Sequence, residues 1–214
     1  MKIDRPKQLL ALKKTPILIY TITKFDRCPL VNSVIVAAPR ESVEEVSALV
    51  RAAGFKKPVA VVEGGARRQD SVAMALEKLP ADTTLVAVHD AVRPFVAVED
   101  IEAVIRGADE HGAAILGIPI VDTVKRAERD FVETTVARER LVLAQTPQVF
   151  RVSLLREAYD RARRDEYYGT DESSLVERMG RAVFIVRGSD RNIKITRPSD
   201  LKLAGMFLEE EEGS

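Results

Sequence analysis

The chain has one cysteine, two histidines, no tryptophan and no excess of either charge. With Cys28 alone, no intrachain disulfide can form, and a reducing, cytoplasmic setting is expected. His89 and His111 stand far apart and belong to no close-spaced Cys/His set, which argues against a zinc centre. Lys plus Arg and Asp plus Glu number 33 each, so there is no general basic field for nucleic acid and no polybasic membrane anchor. A phosphate site must therefore be a local cluster. The longest apolar runs are far too short to cross a membrane. The opening MKIDRPKQ lacks the apolar stretch of a signal peptide. There is no internal repeat, no nucleophile elbow and no complete Walker loop. No GxGxxG follows an early strand, which disfavours a Rossmann dehydrogenase.

What remains is a chain of 214 residues, 46% hydrophobic and 31% charged, enough for one sizeable core. Thr15-Pro16 reads as a helix start, the helix running to about Phe25. Strands are expected at 31–38, 59–62, 85–88 and 113–119. Between them lie helices at about 43–53, with a capping box of Ser42 and Glu45 and a C-terminal Gly54, at 69–79, and at 98–110. This alternation predicts an α/β domain with a mainly parallel sheet and helices on both faces. Over 120–142 the rhythm changes to alternating β-branched and polar residues around Glu128-Arg129-Asp130, which predicts a protruding two-stranded β-arm. An isolated hairpin is marginal in water, so a second subunit is the expected support. Beyond Thr146-Pro147-Gln148, helices are expected at 153–164 and from Asp171, strands at 182–186 and 192–196, and a last helix from Pro198 to about Leu208. The acidic end, Glu209 to Glu212, reads as a solvated tail. No linker is evident, so residues 1–214 are read as one domain plus the arm.

The most informative segment is VAVHDAVRPF, residues 86–95. An apolar strand ends abruptly in His89, Asp90 and Arg93, and Pro94 stops any helix. In open α/β sheets, ligands sit outside the carboxyl ends of the strands. Asp90 suits a hard divalent cation, and Arg93 suits a phosphate. Taken alone, the segment reads equally as a surface ion pair. GGARRQDSV, residues 64–72, joins a strand to a helix. Its glycines permit close backbone approach, Arg67 and Arg68 put charge near a helix N-terminus, and Ser71 is a donor for a base or ribose. By itself this is also an ordinary tight turn. RPKQ places Lys7 behind a proline, and NIKITRPSD places Lys194 between two core-facing isoleucines. A solvated terminal lysine and an edge-strand lysine are the plainer readings. Thr123, Lys125, Arg126 and Arg138 make one polar face of the arm, or simply an exposed one.

In chain order, PKQ, GGxxRxxSV, VHDAxRP, DTVKR, QTPQxF, TDE and NIKITRPxD cover nearly the whole chain. Together they closely resemble the 2-C-methyl-D-erythritol 4-phosphate cytidylyltransferase family of the non-mevalonate isoprenoid pathway. The resemblance implies a Rossmann-like nucleotidyltransferase domain and a homodimer interlocked by the arm. It implies a reaction that joins the substrate phosphate to the α-phosphorus of CTP, with Mg²⁺, and releases pyrophosphate. By matching motif, Lys7 contacts the triphosphate. Gly65, Arg68 and Ser71 line the cytidine pocket, Asp90 binds Mg²⁺, and Ala91 and Arg93 border the methylerythritol phosphate. Thr123 and Arg138 reach that substrate from the partner's arm, and Lys194 faces the phosphates. Lys7, Arg93 and Lys194 are the expected catalytic cations.

The family pattern opens with an apolar first strand, a Gly-rich loop carrying an arginine, and an Arg-Met pair just before PKQ. Here Met1 falls where that Met would be, so the strand and the loop are missing from this sequence, and a true start upstream is expected. Without a central strand, two rows of backbone groups lose their partners. About five buried apolar side chains at roughly 2 kcal/mol each amount to about 10 kcal/mol. Lys14 also stands where the family usually has glycine. The rival readings are a ribitol 5-phosphate cytidylyltransferase, since both substrates are linear polyol phosphates, and a non-catalytic nucleotide-binding dimer.

Overall fold

A computed structural model describes residues 6–212. Met1 and Arg5 lie outside that range. A two-residue hairpin, β1 (Ala11–Leu12) and β2 (Thr15–Pro16), leads into α1 (Ile17–Arg27), β3 (Val34–Ala38), α2 (Val43–Ala53), β4 (Val59–Glu63), α3 (Arg68–Leu76), β5 (Leu85–Val88), α4 (Val98–His111) and β6 (Ala113–Pro119). The arm follows as β7 (Val124–Glu128) and β8 (Phe131–Val136). The chain then continues through β9 (Val142–Arg151), α5 (Val152–Arg164), α6 (Glu172–Arg178), β10 (Phe184–Arg187) and α7 (Pro198–Glu212).

The main sheet has the order β10-β6-β9-β5. β10 is parallel to β6, and β9 is antiparallel to both β6 and β5. Thus β5, β6 and β10 run one way, as expected, while β9 opposes them from the middle of the sheet. The sequence reading places no strand between the arm and the helix from 153, and a proline inside a central strand is unusual. The β6 ladder accommodates that proline by a register shift. Ile115 faces Gln148 and Leu116 faces Gln145, so Thr146 and Pro147 are skipped. Adjacent residues of β9 then serve opposite faces, as the period of two requires. Val149 packs with Ile101, Val104 and Ala108 of α4. Phe150 packs with Leu155 and Ala158 of α5 and Leu175 and Val176 of α6.

β3 and β4 form a separate parallel pair, packed with α1 and α2 around Leu18, Ile22, Val46 and Val50. Among the described residues β3 pairs only with β4, and β5 only with β9. Their other edges face a common cleft of about 1040 Å³, lined by residues of β3, β5, α1 and α3. Among the described residues neither edge has a ladder partner, and the two look across the same space. At one end the cleft opens onto Arg68, Ser71 and Asp90.

Several local expectations shift. Thr15-Pro16 is a strand pair with Ala11-Leu12, and α1 starts one residue later. The left-handed residue of that hairpin is Lys13, with φ 54°, and Lys14 follows it. Ser42 makes no side-chain cap: it is buried at the close of a 3-10 turn over Arg40–Ser42. Gly54 does close α2 in the left-handed conformation, φ 63°. β3 begins at Val34, three residues late, and α3 spans Arg68–Leu76. Residues 192–196 form no strand. One backbone bond, Ile195 N–H to the Val92 carbonyl at 2.9 Å, joins them to the loop after β5. The acidic end is not a free tail, because α7 continues through Glu212. Glu211 pairs with Lys24 at 3.2 Å and Glu210 with Arg191 at 2.7 Å.

Candidate active site

The apolar run of β5 ends where the sheet ends, and the next four residues turn over its edge. Arg93 N–H bonds the Asp90 carbonyl at 3.0 Å, closing the turn. Beneath it lies His89, half-buried, with its ring against Phe25. Burial lowers His89 to about 4, so the imidazole is neutral at neutral pH. Its hydrogen-bond roles follow. Nε2 lies 3.0 Å from the Arg93 carbonyl, which can only accept, so Nε2 carries the proton. Nδ1 therefore accepts from Thr146 Oγ1 at 3.1 Å, and that oxygen accepts the Asp90 N–H at 3.1 Å. Thr21, buried on α1, donates to the Ala91 carbonyl at 2.9 Å. The turn is held from below at each of its ends.

Above the turn, Asp90 collects three cations. Lys194 Nζ lies 3.0 Å from Oδ2, Arg93 Nε 3.2 Å from the same oxygen, and Arg68 Nε 3.4 Å from Oδ1. Burial works to raise the Asp90 carboxyl, but Lys194 first, then Arg68 and Arg93, hold it below the usual carboxylate range. It stays ionised. Arg93 is also fixed by the Asn192 carbonyl at 2.7 Å, and Asn192 is itself fully buried, donating Nδ2 to the Thr146 carbonyl at 2.9 Å. Lys7 reaches the same strap from the other side, donating to the Thr196 carbonyl at 2.8 Å. Asp90, Arg93, Lys194 and Arg68 thus share one place, with Lys7 bonded two residues from Lys194 along the strap.

The Gly64-Gly65 turn serves the packing of α3 as much as any ligand. A Cβ on Gly65 would lie 2.4 Å from that of Asp70, and one on Gly64 would lie 2.8 Å from Ser71 Oγ. Ser71 Oγ accepts from Gly65 N–H at 3.1 Å and donates to the Arg67 carbonyl at 3.1 Å. It borders the cleft, but its bonds within this chain close the turn. Thr123 and Arg138 are not brought to the cluster. Both are exposed at the arm, and Arg138 donates to the Val121 carbonyl.

Sequence reasoning missed the residues behind the cluster. Glu172 is only 1% exposed and accepts from Arg68 Nη1 at 2.7 and 2.8 Å and from the Tyr159 hydroxyl at 3.0 Å. Burial, reinforced by Glu172, pushes the Tyr159 phenol well up, and it stays protonated. A glutamate in the first turn after an N-cap aspartate reads as a solvated residue, and nothing in its spacing reveals burial. Thr146, Asn192 and Thr21 likewise carry no periodic signal, although QTPQ and NIKIT contain two of them.

The family model for 2-C-methyl-D-erythritol 4-phosphate cytidylyltransferase matches residues 1–210. A protein of that name from Solibacter usitatus is 50% identical over 209 residues, 96% of this chain and 86% of that protein. The crystal structure of the enzyme of that name from Thermus thermophilus superimposes with a TM-score of 0.80 at 35% identity, covering 94% of this chain and 93% of that one. That of 4-diphosphocytidyl-2C-methyl-D-erythritol synthase from Anaerococcus prevotii superimposes with a TM-score of 0.87 at 27% identity, covering 94% and 93%.

Proposed function

We propose, for a chain that belongs to the 2-C-methyl-D-erythritol 4-phosphate cytidylyltransferase family, that the cluster around Asp90 transfers a cytidylyl group from CTP to 2-C-methyl-D-erythritol 4-phosphate. The observation that carries this reading is the convergence of Lys194, Arg93 and Arg68 on one carboxylate at the carboxyl end of β5. A substrate phosphate oxygen attacks the α-phosphorus of CTP. The new O–P bond forms, the bond to the bridging oxygen breaks, and pyrophosphate leaves with its electrons. The nucleophile is already an anion, so no general base is needed. The barrier lies in bringing anions together and in the charge that builds at the α-phosphorus. Preplaced cations lower both contributions.

Lys194 and Arg93 are assigned to that charge, with Lys7 on the triphosphate. Gly65, Arg68 and Ser71 border the cytidine, and Ala91 and Arg93 the acceptor. Lys194, 42% exposed, has among the described residues no polar partner beyond Asp90, so it is free to follow the phosphates. Asp90 is the single carboxylate of this cluster. No group of three or more His, Cys, Asp or Glu could hold a metal among the described residues. That donor set fits Mg²⁺, which commonly takes one or two carboxylates and completes its shell with phosphates and water. Bound there, the ion would neutralise and align the triphosphate.

The arm supports a homodimer. Phe131 and Val132 are 79% and 62% exposed on a hairpin whose strands, among the described residues, pair only with each other, and a second copy would cover them. Thr123 and Arg138 then belong to the partner's acceptor site. Residues 1–214 act as one domain with this arm. Buried, unpaired Cys28 accords with a cytoplasmic setting, and no described helix is long and apolar enough to cross a membrane.

The deciding experiment is pyrophosphate release from CTP and Mg²⁺ with methylerythritol phosphate or ribitol 5-phosphate. Release with the first alone is expected. Release with ribitol 5-phosphate alone would overturn the substrate, and CTP binding without release from either would leave a nucleotide-binding protein.

A further inference from the structure

We propose that Glu172 is a positioning residue, which keeps Arg68 in the nucleotide site when Asp90 changes partners. The three cations on Asp90 are not equivalent. Arg93 has a second hold on the Asn192 carbonyl at 2.7 Å. Arg68 has a second hold on Glu172. Lys194 has none among the described residues. When Asp90 takes up a divalent cation, its own contacts to these three give way first. The 3.4 Å contact of Arg68 Nε to Asp90 is the longest of them, whereas its Nη1 lies 2.7 and 2.8 Å from the Glu172 oxygens. Glu172 is 1% exposed and is held by Tyr159 from behind, so it does not follow Arg68 into solvent.

The segment carrying Glu172 is joined to the turn carrying Arg68 at three further points. Gln69 donates to the Tyr167 carbonyl at 3.1 Å and accepts from Gly169 N–H at 2.9 Å, and the Arg67 guanidinium lies 3.9 Å over the Tyr168 ring. A Cβ on Gly169 would lie 2.3 Å from Ser174 Oγ, so the approach to α6 is close. Residues 167–172 therefore act as a backing plate for residues 65–71, with Glu172 its one buried charge.

The anchoring itself does not depend on the ligand assignment. Its consequence for CTP rests on the reading of Arg68 as a nucleotide contact, so the test has two arms. The Arg68 Nε–H resonance, identified by its loss in Arg68→Lys, should be resolved in the wild type and in Tyr159→Phe. In Glu172→Gln it should collapse onto the averaged position of exposed arginines. A resonance that stays resolved in Glu172→Gln overturns the proposal. In calorimetry with CTP and Mg²⁺, Glu172→Gln should weaken binding about tenfold or more, the scale of one charged hydrogen bond, and Tyr159→Phe less than about threefold. Equal weakening by both would make Glu172 merely structural, and wild-type affinity in Glu172→Gln would overturn its part in nucleotide binding. If wild type binds no CTP, the nucleotide reading falls while the resonances still decide the anchoring. Should Glu172→Gln fail to fold, Glu172→Asp keeps the charge and withdraws it by one methylene. Intermediate resonance mobility supports the anchor, and a wild-type resonance overturns it.

Discussion

One strand, β5, serves two unlike surroundings. At its carboxyl end, the polar groups of residues 89–93 are met in layers, from neutral His89 and Thr146 below to the ion cluster above. Along its outer edge it faces the cleft shared with β3, with no ladder partner among the described residues. The other edge of β5 is paired with β9, whose Phe150 is fully buried. Stability and chemistry are therefore carried by different sides of one short element. The core behind β9 holds the strand, and the cluster exploits where it stops. The cleft edge contributes least to either, because half-buried side chains gain only part of their transfer free energy.

The largest effect should separate the two edges. Phe150→Ala removes a fully buried ring between α5 and α6 and should cost about 3–5 kcal/mol. Val36→Ala, half-buried on β3 beside the cleft, should cost about 1 kcal/mol. Urea unfolding of both variants measures the difference, and equal losses would mean that the cleft edge is packed as tightly as the core. At the strand end the expected effect is kinetic. Lys194→Ala or Arg93→Ala should lower turnover at least about a hundredfold, about 3 kcal/mol of barrier, with unfolding midpoints close to wild type. Near-normal kinetics in either would remove that residue from the mechanism.

Much of this division was legible in the chain. The abrupt change from Val88 to His89-Asp90 marked both the strand end and the site, and the ladders confirm β5 and β6 to the residue. The alternation of Ile193, Lys194 and Ile195 correctly sent the lysine outward, although the segment forms no ladder and is oriented by its contacts with Val92, Arg93 and Asp90. β9 was not legible past Pro147, since its continuity depends on a register shift in β6 that no local pattern encodes. Glu172 was hidden for a similar reason. Its burial is created by Arg68 and Tyr159, 104 and 13 residues away in sequence. Local chemistry announced the charges, and only the tertiary structure revealed what restrains them.

A subtler change tests the layer under the cluster. Thr146→Val preserves shape but deletes the hydroxyl that accepts the Asp90 N–H and donates to His89 Nδ1. Two half-buried polar groups lose their partner, which should cost about 1–3 kcal/mol. The loss should be read in unfolding and in a shift of the Asp90 amide resonance. An unchanged amide would show that Thr146 does not hold the turn.

The smallest effect belongs to the strap's far end, where Asp200 Oδ2 accepts from Thr196 N–H and Arg197 N–H, both at 2.8 Å, at the start of α7. The backbone bond from Thr196, then that from Arg197, holds this carboxyl below its ordinary value. A depressed carboxyl stabilises the fold above the unfolded-state value and loses that contribution as pH falls through the folded one. The loss should therefore begin below about pH 4. Asp200 is half-buried at the surface, so Asp200→Ala should cost at most about 1 kcal/mol at pH 7, the scale of a helix cap screened by solvent. At pH 3 the gap between variant and wild type should narrow, because the wild-type carboxyl begins to take up a proton there. A gap that widened on acidification would reverse the sign argued from these bonds and detach Asp200 from the ordering of the strap that carries Lys194.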